Sequence, residues 1–148
     1  MKKRFSAVSL IVVLMCVLCV SCGEEKSPYF NETTLAGTTW THPGVIPMLI
    51  LLNDDLQNYP AIWPCNIVFA ANGAWSLELR AQAFNPSAPA DLMTPVAGGT
   101  FELYGDGIFF TILQPEAAAG MEFPAGFSSA TTLVVTEQVQ GGEFTKVP

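Results

Sequence analysis

One stretch in mid-chain constrains the fold more than any other. Residues 65–84 read C-N-I-V-F-A-A-N-G-A-W-S-L-E-L-R-A-Q-A-F. In its second half, Trp75, Leu77, Leu79, Ala81 and Ala83 alternate with Ser76, Glu78, Arg80 and Gln82. A period of two puts the first set on one face of a strand and the second set on the other. Asn72-Gly73 supplies two residues that tolerate positive φ, as a type I′ hairpin turn requires, so Cys65 to Ala70 pairs with Ala74 to Phe84. A lone hairpin is marginal in water, and one with an apolar face needs a larger sheet to cover it.

The same signals recur along the chain. Gly99–Tyr104 and Ile108–Leu113 flank a Gly105-Asp106-Gly107 turn, and Thr131–Val139 and Glu143–Val147 flank Gly141-Gly142. Leu35–Thr41 makes a first strand. Gly44–Asn58 admits two readings: a helix opened by Pro47 with Met48, Leu51, Leu52 and Leu56 on one stripe, or a strand over Met48–Leu52. The strand is preferred, because the run is short and its surroundings are β. Eight strands result, beginning near residues 36, 47, 66, 75, 99, 108, 131 and 143. The predicted fold class is all-β: a single antiparallel up-and-down barrel of about eight strands, whose closure removes exposed edges. Two long connections, Asn85–Ala97 and Gln114–Ala130, are rich in proline, glycine and alanine, and loops of such length are often functional. They carry Leu92 and Met93, and Met121, Phe123 and Phe127. In strict up-and-down order the 53–64 connection, the 85–97 loop and the 105–107 turn fall at alternating ends.

Composition removes several functional classes. With 50% apolar and 13% charged residues, disorder is excluded as the main state. The net charge of -7 and the few cations, Lys2, Lys3 and Arg4 at the start and Lys26, Arg80 and Lys146 elsewhere, exclude a nucleic-acid binder.

The N-terminus reads as an address. Lys2, Lys3 and Arg4 precede an almost wholly apolar run from Phe5 to Val20, the pattern of a signal peptide. Its ending, Leu18-Cys19-Val20-Ser21-Cys22-Gly23, resembles a bacterial lipobox, in which a small residue precedes a cysteine that is lipidated and becomes the new N-terminus. Cys22 after Ser21 fits, whereas Cys16 follows Met15 and Cys19 follows Leu18, both bulky. The implied organisation is a signal peptide over 1–21, a lipidated tether over 22–34 and a barrel over 35–148. Gly23 in place of aspartate favours the outer membrane of the cell envelope, periplasmic or surface-exposed. Removing the first three cations takes Lys+Arg from 6 to 3 against 13 Asp+Glu, a net charge of about -10.

Catalytic chemistry finds little to work with. His42 is the one histidine, and Cys65 is the one cysteine left after Cys16 and Cys19 depart and Cys22 takes lipid. Zinc needs several such ligands at close spacing, so no metal site is expected. No G-x-S-x-G elbow, calcium loop or phosphate-binding glycine loop is present, and neither a catalytic residue nor a cofactor is predicted. Cys65 is expected as a small buried hydrophobe, His42 as a surface residue beside Pro43, and Glu78 with Arg80 as a surface ion pair.

Leu35-Ala36-Gly37-Thr38-Thr39-Trp40 resembles the L-x-G-T-x-W opening of bacterial lipocalin-like and META-type lipoproteins. Ile67–Trp75 is similar to their hairpin of apolar strand, Asn/Asp-Gly and aromatic, Gly99–Ile108 to their later hairpin, and Phe144–Val147 to their last strand. The resemblance spans most of residues 35–147 and implies a lipocalin-like barrel. Two functional expectations follow. In the first, a lipid-anchored envelope protein binds a small apolar ligand in a pocket lined by Phe69, Trp75, Leu77, Phe101 and Phe110. In the second, a non-enzymatic interaction protein with a solid core docks on an envelope protein partner through an exposed patch near Met121, Phe123 and Phe127.

Overall fold

A computed structural model describes residues 29–44, 59–60, 63–135 and 142–148. Eight antiparallel strands close into an up-and-down barrel in sequence order: β1 (Thr39–His42), β2 (Cys65–Phe69), β3 (Ala74–Arg80), β4 (Met93–Tyr104), β5 (Gly107–Gln114), β6 (Glu122–Ser129), β7 (Thr132–Val135) and β8 (Glu143–Lys146). Closure is made by β1 against β8, with Trp40 opposite Lys146 and Thr41 opposite Thr145. The hairpin at 65–84 is present, but Phe69 opposite Trp75 and the Ala70 amide on the Ala74 carbonyl leave a three-residue turn, Ala71–Gly73 with Gly73 at φ 73°, in place of the expected two-residue type I′ turn. Strict burial alternation along β2 and β3 places Cys65, Ile67, Phe69, Trp75, Leu77 and Leu79 inside.

The expected strand at Met48–Leu52 lies outside the described residues. Among those described, the strand inventory differs from expectation in four places. β4 begins at Met93, within the connection expected over Asn85–Ala97, and β6 is a strand within the connection expected over Gln114–Ala130. Phe123, Ala125 and Phe127 are buried there while Glu122, Pro124 and Gly126 alternate with them, a period of two concealed by proline and glycine. The first strand starts at Thr39 rather than near residue 36, because Glu32–Leu35 forms a single helical turn, α1. Asn31 caps it, its Oδ1 accepting the Thr34 amide at 2.9 Å while Thr34 Oγ1 accepts the Asn31 amide at 3.0 Å. Finally, β3 stops at Arg80 rather than Phe84, and the residues after it turn as a short 3-10 segment.

Residues 29–35, read as tether as far as Thr34, pack on the barrel. Leu35 is fully buried, and Phe30 lies edge-on to Trp40 at 5.5 Å and against Phe127 at 4.7 Å. They close one end, where Trp40 Nε1 donates to Thr38 Oγ1 at 2.9 Å and the Thr38 hydroxyl donates to the Leu35 carbonyl. With β6 in place, the connections after β1, β3, β5 and β7 all leave from the opposite end, and the turns at 72–73, 105–106 and 130–131 share the α1 end. The longer connections are therefore gathered at one end instead of alternating.

Candidate functional site

The five residues that the sequence offers either as a pocket lining or as a filled core all belong to one buried cluster, and the four aromatic ones touch. Phe69, Leu77 and Phe110 are fully buried, and Trp75 and Phe101 nearly so. Phe110 stands at the centre. It stacks on Phe123 at 4.7 Å and 17° and on Phe69 at 5.8 Å and 29°, and it meets Trp75 edge-on at 5.0 Å. Phe101 closes on Phe69 at 5.0 Å, and Phe123 on Trp75 at 5.6 Å. A flat ligand between two stacked rings would need a separation of roughly 7 Å, twice the van der Waals contact distance. These rings fill this part of the interior with one another, in the offset and T-shaped pairs that aromatic quadrupoles favour.

Phe123 and Phe127, expected at an exposed docking patch, belong to the core, because β6 turns them inward. Only Met121 of that trio is exposed. The docking surface predicted around the three residues is thus not formed by them.

The concave surface lies on the outer wall, where β4 is irregular on both sides. Pairing shifts between Leu77 and Glu78, leaving Val96 as the extra residue between Ala97 and Pro95. It shifts again between Gly98 and Gly99, leaving Leu113 extra on β5. Proline and paired glycines in a strand interior are the residues that bulges admit. Gly98 and Gly99 are required by close approach: a Cβ at Gly98 would stand 2.8 Å from the Trp75 carbonyl oxygen, and one at Gly99 would collide with the Thr111 carbonyl. Trp75 Nε1 spans the same place, donating to the Thr111 carbonyl at 3.3 Å across β4.

The result is an open groove of about 540 Å³ formed by Trp75, Ser76, Val96, Gly98, Leu113 and Gln114 among others. A second depression of about 430 Å³ adjoins it across Pro95 and Val96 and is lined by Phe84, Leu92 and Thr94. Phe84, Leu92 and Leu113 are each about half exposed, so the rim is apolar. Of these residues only Trp75 and Leu92 carry a functional expectation from the sequence. The signal available for the rest was Pro95 together with Gly98-Gly99, a combination that a regular central strand does not carry.

At the end opposite α1, polar contacts serve closure. Tyr59 OH donates to the Pro64 carbonyl at 2.9 Å and accepts the Arg80 amide at 3.1 Å. Burial raises the Tyr59 phenol above its ordinary value, with the Arg80 amide opposing that effect. The Arg80 guanidinium lies over the Trp63 ring at 5.7 Å, and Glu78 accepts the Ser76 hydroxyl at 3.4 Å, so the expected Glu78–Arg80 ion pair is not made. Cys65 is fully buried and its thiol donates to the Gly44 carbonyl at 3.2 Å. His42 is half-buried rather than a surface residue, with its ring 5.4 Å from that of Phe144 and Nδ1 2.7 Å from the Gly44 carbonyl oxygen. Among the described residues no three His, Cys, Asp or Glu side chains converge as a metal site would need.

No family model, curated protein or solved structure matches this chain.

Proposed function

We propose that this chain is a non-enzymatic, lipid-anchored lipoprotein of the bacterial cell envelope, held in the outer membrane through Cys22. Its lipocalin-like barrel binds a small apolar ligand on the outer wall rather than in the interior. The observation that carries the ligand reading is the groove beside β4. At about 540 Å³ it falls in the size range of small-molecule sites, and Val96, Leu113 and the neighbouring Phe84 and Leu92 offer apolar contact. Ser76 and Gln114 stand at its side as the polar groups that would orient a ligand. The anchoring reading rests on the lipobox resemblance and the apolar signal run. A diacylglycerol and an N-acyl chain at Cys22 hold a protein stably, at about 0.8 kcal/mol for each buried methylene.

Two measurements test this. Substituting Cys22→Ser should abolish labelling by a radioactive fatty acid and move the protein out of the membrane fraction; labelling that persists refutes the anchor. For the ligand, the soluble body (residues 26–148) is refolded from denaturant and titrated with the neutral probe N-phenyl-1-naphthylamine. Saturable one-to-one binding is expected, with energy transfer from Trp75, and Val96→Trp should abolish it by filling the groove. A folded protein that binds no probe, or binds it equally well in Val96→Trp, refutes the groove as a ligand site.

A further inference from the structure

A second surface, on the other side of β4 and independent of the groove, is apolar without being concave. Residues alternate in and out along β4 to β7, and the outward set is fixed by register. Tyr104 lies opposite Gly107, Gly107 opposite Gly126, and Gly126 opposite Val134. In the next row Glu102 lies opposite Phe109 and Phe109 opposite Pro124. Tyr104 is 72% exposed, Phe109 46% and Val134 37%, each next to a turn or between buried neighbours on its strand. Gly107 and Gly126 bear no side chain, so the row between Tyr104 and Val134 is bare backbone, flanked by the Phe109 and Pro124 rings. The face is thus an aromatic ledge beside a shallow glycine floor.

Its border is acidic. Glu102 opposes Phe109, Glu143 opposes Val134, Glu122 precedes Pro124 by two residues on the same face, and Asp106 sits in the turn beside Gly107. All four are exposed. The cations among the described residues are engaged elsewhere, Arg80 over Trp63 and Lys146 over Phe30. Self-association through this face would bring eight carboxylates together, and an anionic lipid surface would be repelled for the same reason. We infer that the β4–β7 face formed by Tyr104, Phe109, Pro124 and Val134 is a docking surface for a cationic protein segment, one presenting an apolar centre between Lys or Arg residues.

The test uses the full mature chain in nanodiscs of zwitterionic lipid, with empty nanodiscs as reference. Two capped peptides are compared, Lys-Lys-Phe-Val-Phe-Lys-Lys and its counterpart with every lysine replaced by glutamate. The lysine peptide should bind saturably and weaken by roughly tenfold between 50 and 200 mM salt, as the Debye length falls from about 14 Å to about 7 Å and screens the exposed charges. The glutamate peptide should not bind. Phe109→Ser should reduce affinity at least tenfold, and the double change Glu102→Gln with Glu122→Gln should flatten the salt dependence, whereas Glu32→Gln with Glu116→Gln, placed elsewhere, should change neither. Failure of the lysine peptide to bind, equal binding of both peptides, or a Phe109→Ser protein that binds as before while its unfolding midpoint is unchanged would each overturn the proposal.

Discussion

Replacing Phe110 by alanine separates a packed interior from a ligand-lined one. Phe110 is fully buried and touches Phe69, Trp75 and Phe123. Removing a buried ring of this kind forfeits about 2 kcal/mol of transfer free energy. If roughly 80 Å³ stays unfilled, a cavity cost of about 24 cal/mol per Å³ adds about 2 kcal/mol. Loss of three aromatic contacts, worth about 0.5 kcal/mol each at the low end, brings the total to about 5 kcal/mol. That is a large share of the roughly 5–15 kcal/mol by which domains are stable. Urea unfolding followed by far-UV circular dichroism measures it directly, as a fall in midpoint at constant m. Phe109→Ala, one residue away but outward-facing, supplies the contrast and should cost about 1 kcal/mol or less. The cavity left in Phe110→Ala is apolar and should take up benzene, raising the melting temperature of the variant by more than that of the parent. A loss below about 1.5 kcal/mol, or the same benzene-induced rise in variant and parent, would show that the rings do not fill the interior and would refute the packing argument.

Gly99→Ala should destabilise by about 3 kcal/mol, because the new methyl meets the Thr111 carbonyl and must push β4 and β5 apart; an unchanged urea midpoint would contradict the close approach. Phe30→Ala should cost about 3 kcal/mol and expose the chain near α1 to limited proteolysis, while an unchanged cleavage rate would mean that this segment is not docked. Tyr59→Phe leaves the Pro64 carbonyl and the Arg80 amide without their partner and should cost about 1–3 kcal/mol in urea unfolding at neutral pH. Because folding raises the Tyr59 pKa, the folded state holds the phenolic proton more tightly than the unfolded state does. Stability from this group is therefore complete below the ordinary tyrosine pKa and falls as pH rises from there through the folded value. Tyr59→Phe should remove that alkaline slope, and an identical slope in both proteins would reject the assignment.

How much of this was legible in the sequence depends on which signals were local. The hairpin at 65–84 was readable because alternation and turn chemistry agreed, and each strand of it lies where those signals put it, apart from the last four residues of β3. Those residues keep the alternating pattern, but the Arg80 amide bonds to Tyr59 OH and the Ala81 amide to the Leu92 carbonyl, tertiary contacts that no window contains. β6 was hidden for the opposite reason: its period is correct, while Pro124 and Gly126 are residues that usually end strands. The interior cluster was recognisable as a set, since all five members lie on apolar strand faces. Whether such a set lines a cavity or fills it depends on ring-to-ring distances and on Phe123, whose strand Pro124 and Gly126 conceal. The groove was the least legible feature, because it arises from two register shifts on facing sides of one strand.

The proposed anchor has a geometric consequence that can be tested apart from any ligand. Tyr29 sits at the α1 end, and the seven peptide units from Cys22 to Tyr29 reach at most about 25 Å. That end, with the turns at 72–73, 105–106 and 130–131, must then lie close to the membrane. β4 has 12 residues at about 3.3 Å each, and with a strand tilt near 40° the barrel rises about 30 Å along its axis. The connection after β3, which carries Phe84 and Asn85 at the groove's edge, is thereby held on the far side. On this proposal the ledge around Tyr104 and Asp106 faces the space next to the membrane, where its carboxylates keep it off anionic headgroups. A fluorophore attached through Asp106→Cys should be quenched strongly by spin-labelled lipid headgroups, and one attached through Asn85→Cys weakly, with the buried Cys65 unlabelled in either protein. Equal quenching at the two positions would mean that the barrel lies on its side. The reverse order would place the tether at the other end and remove the reason for assigning the two faces different heights above the bilayer.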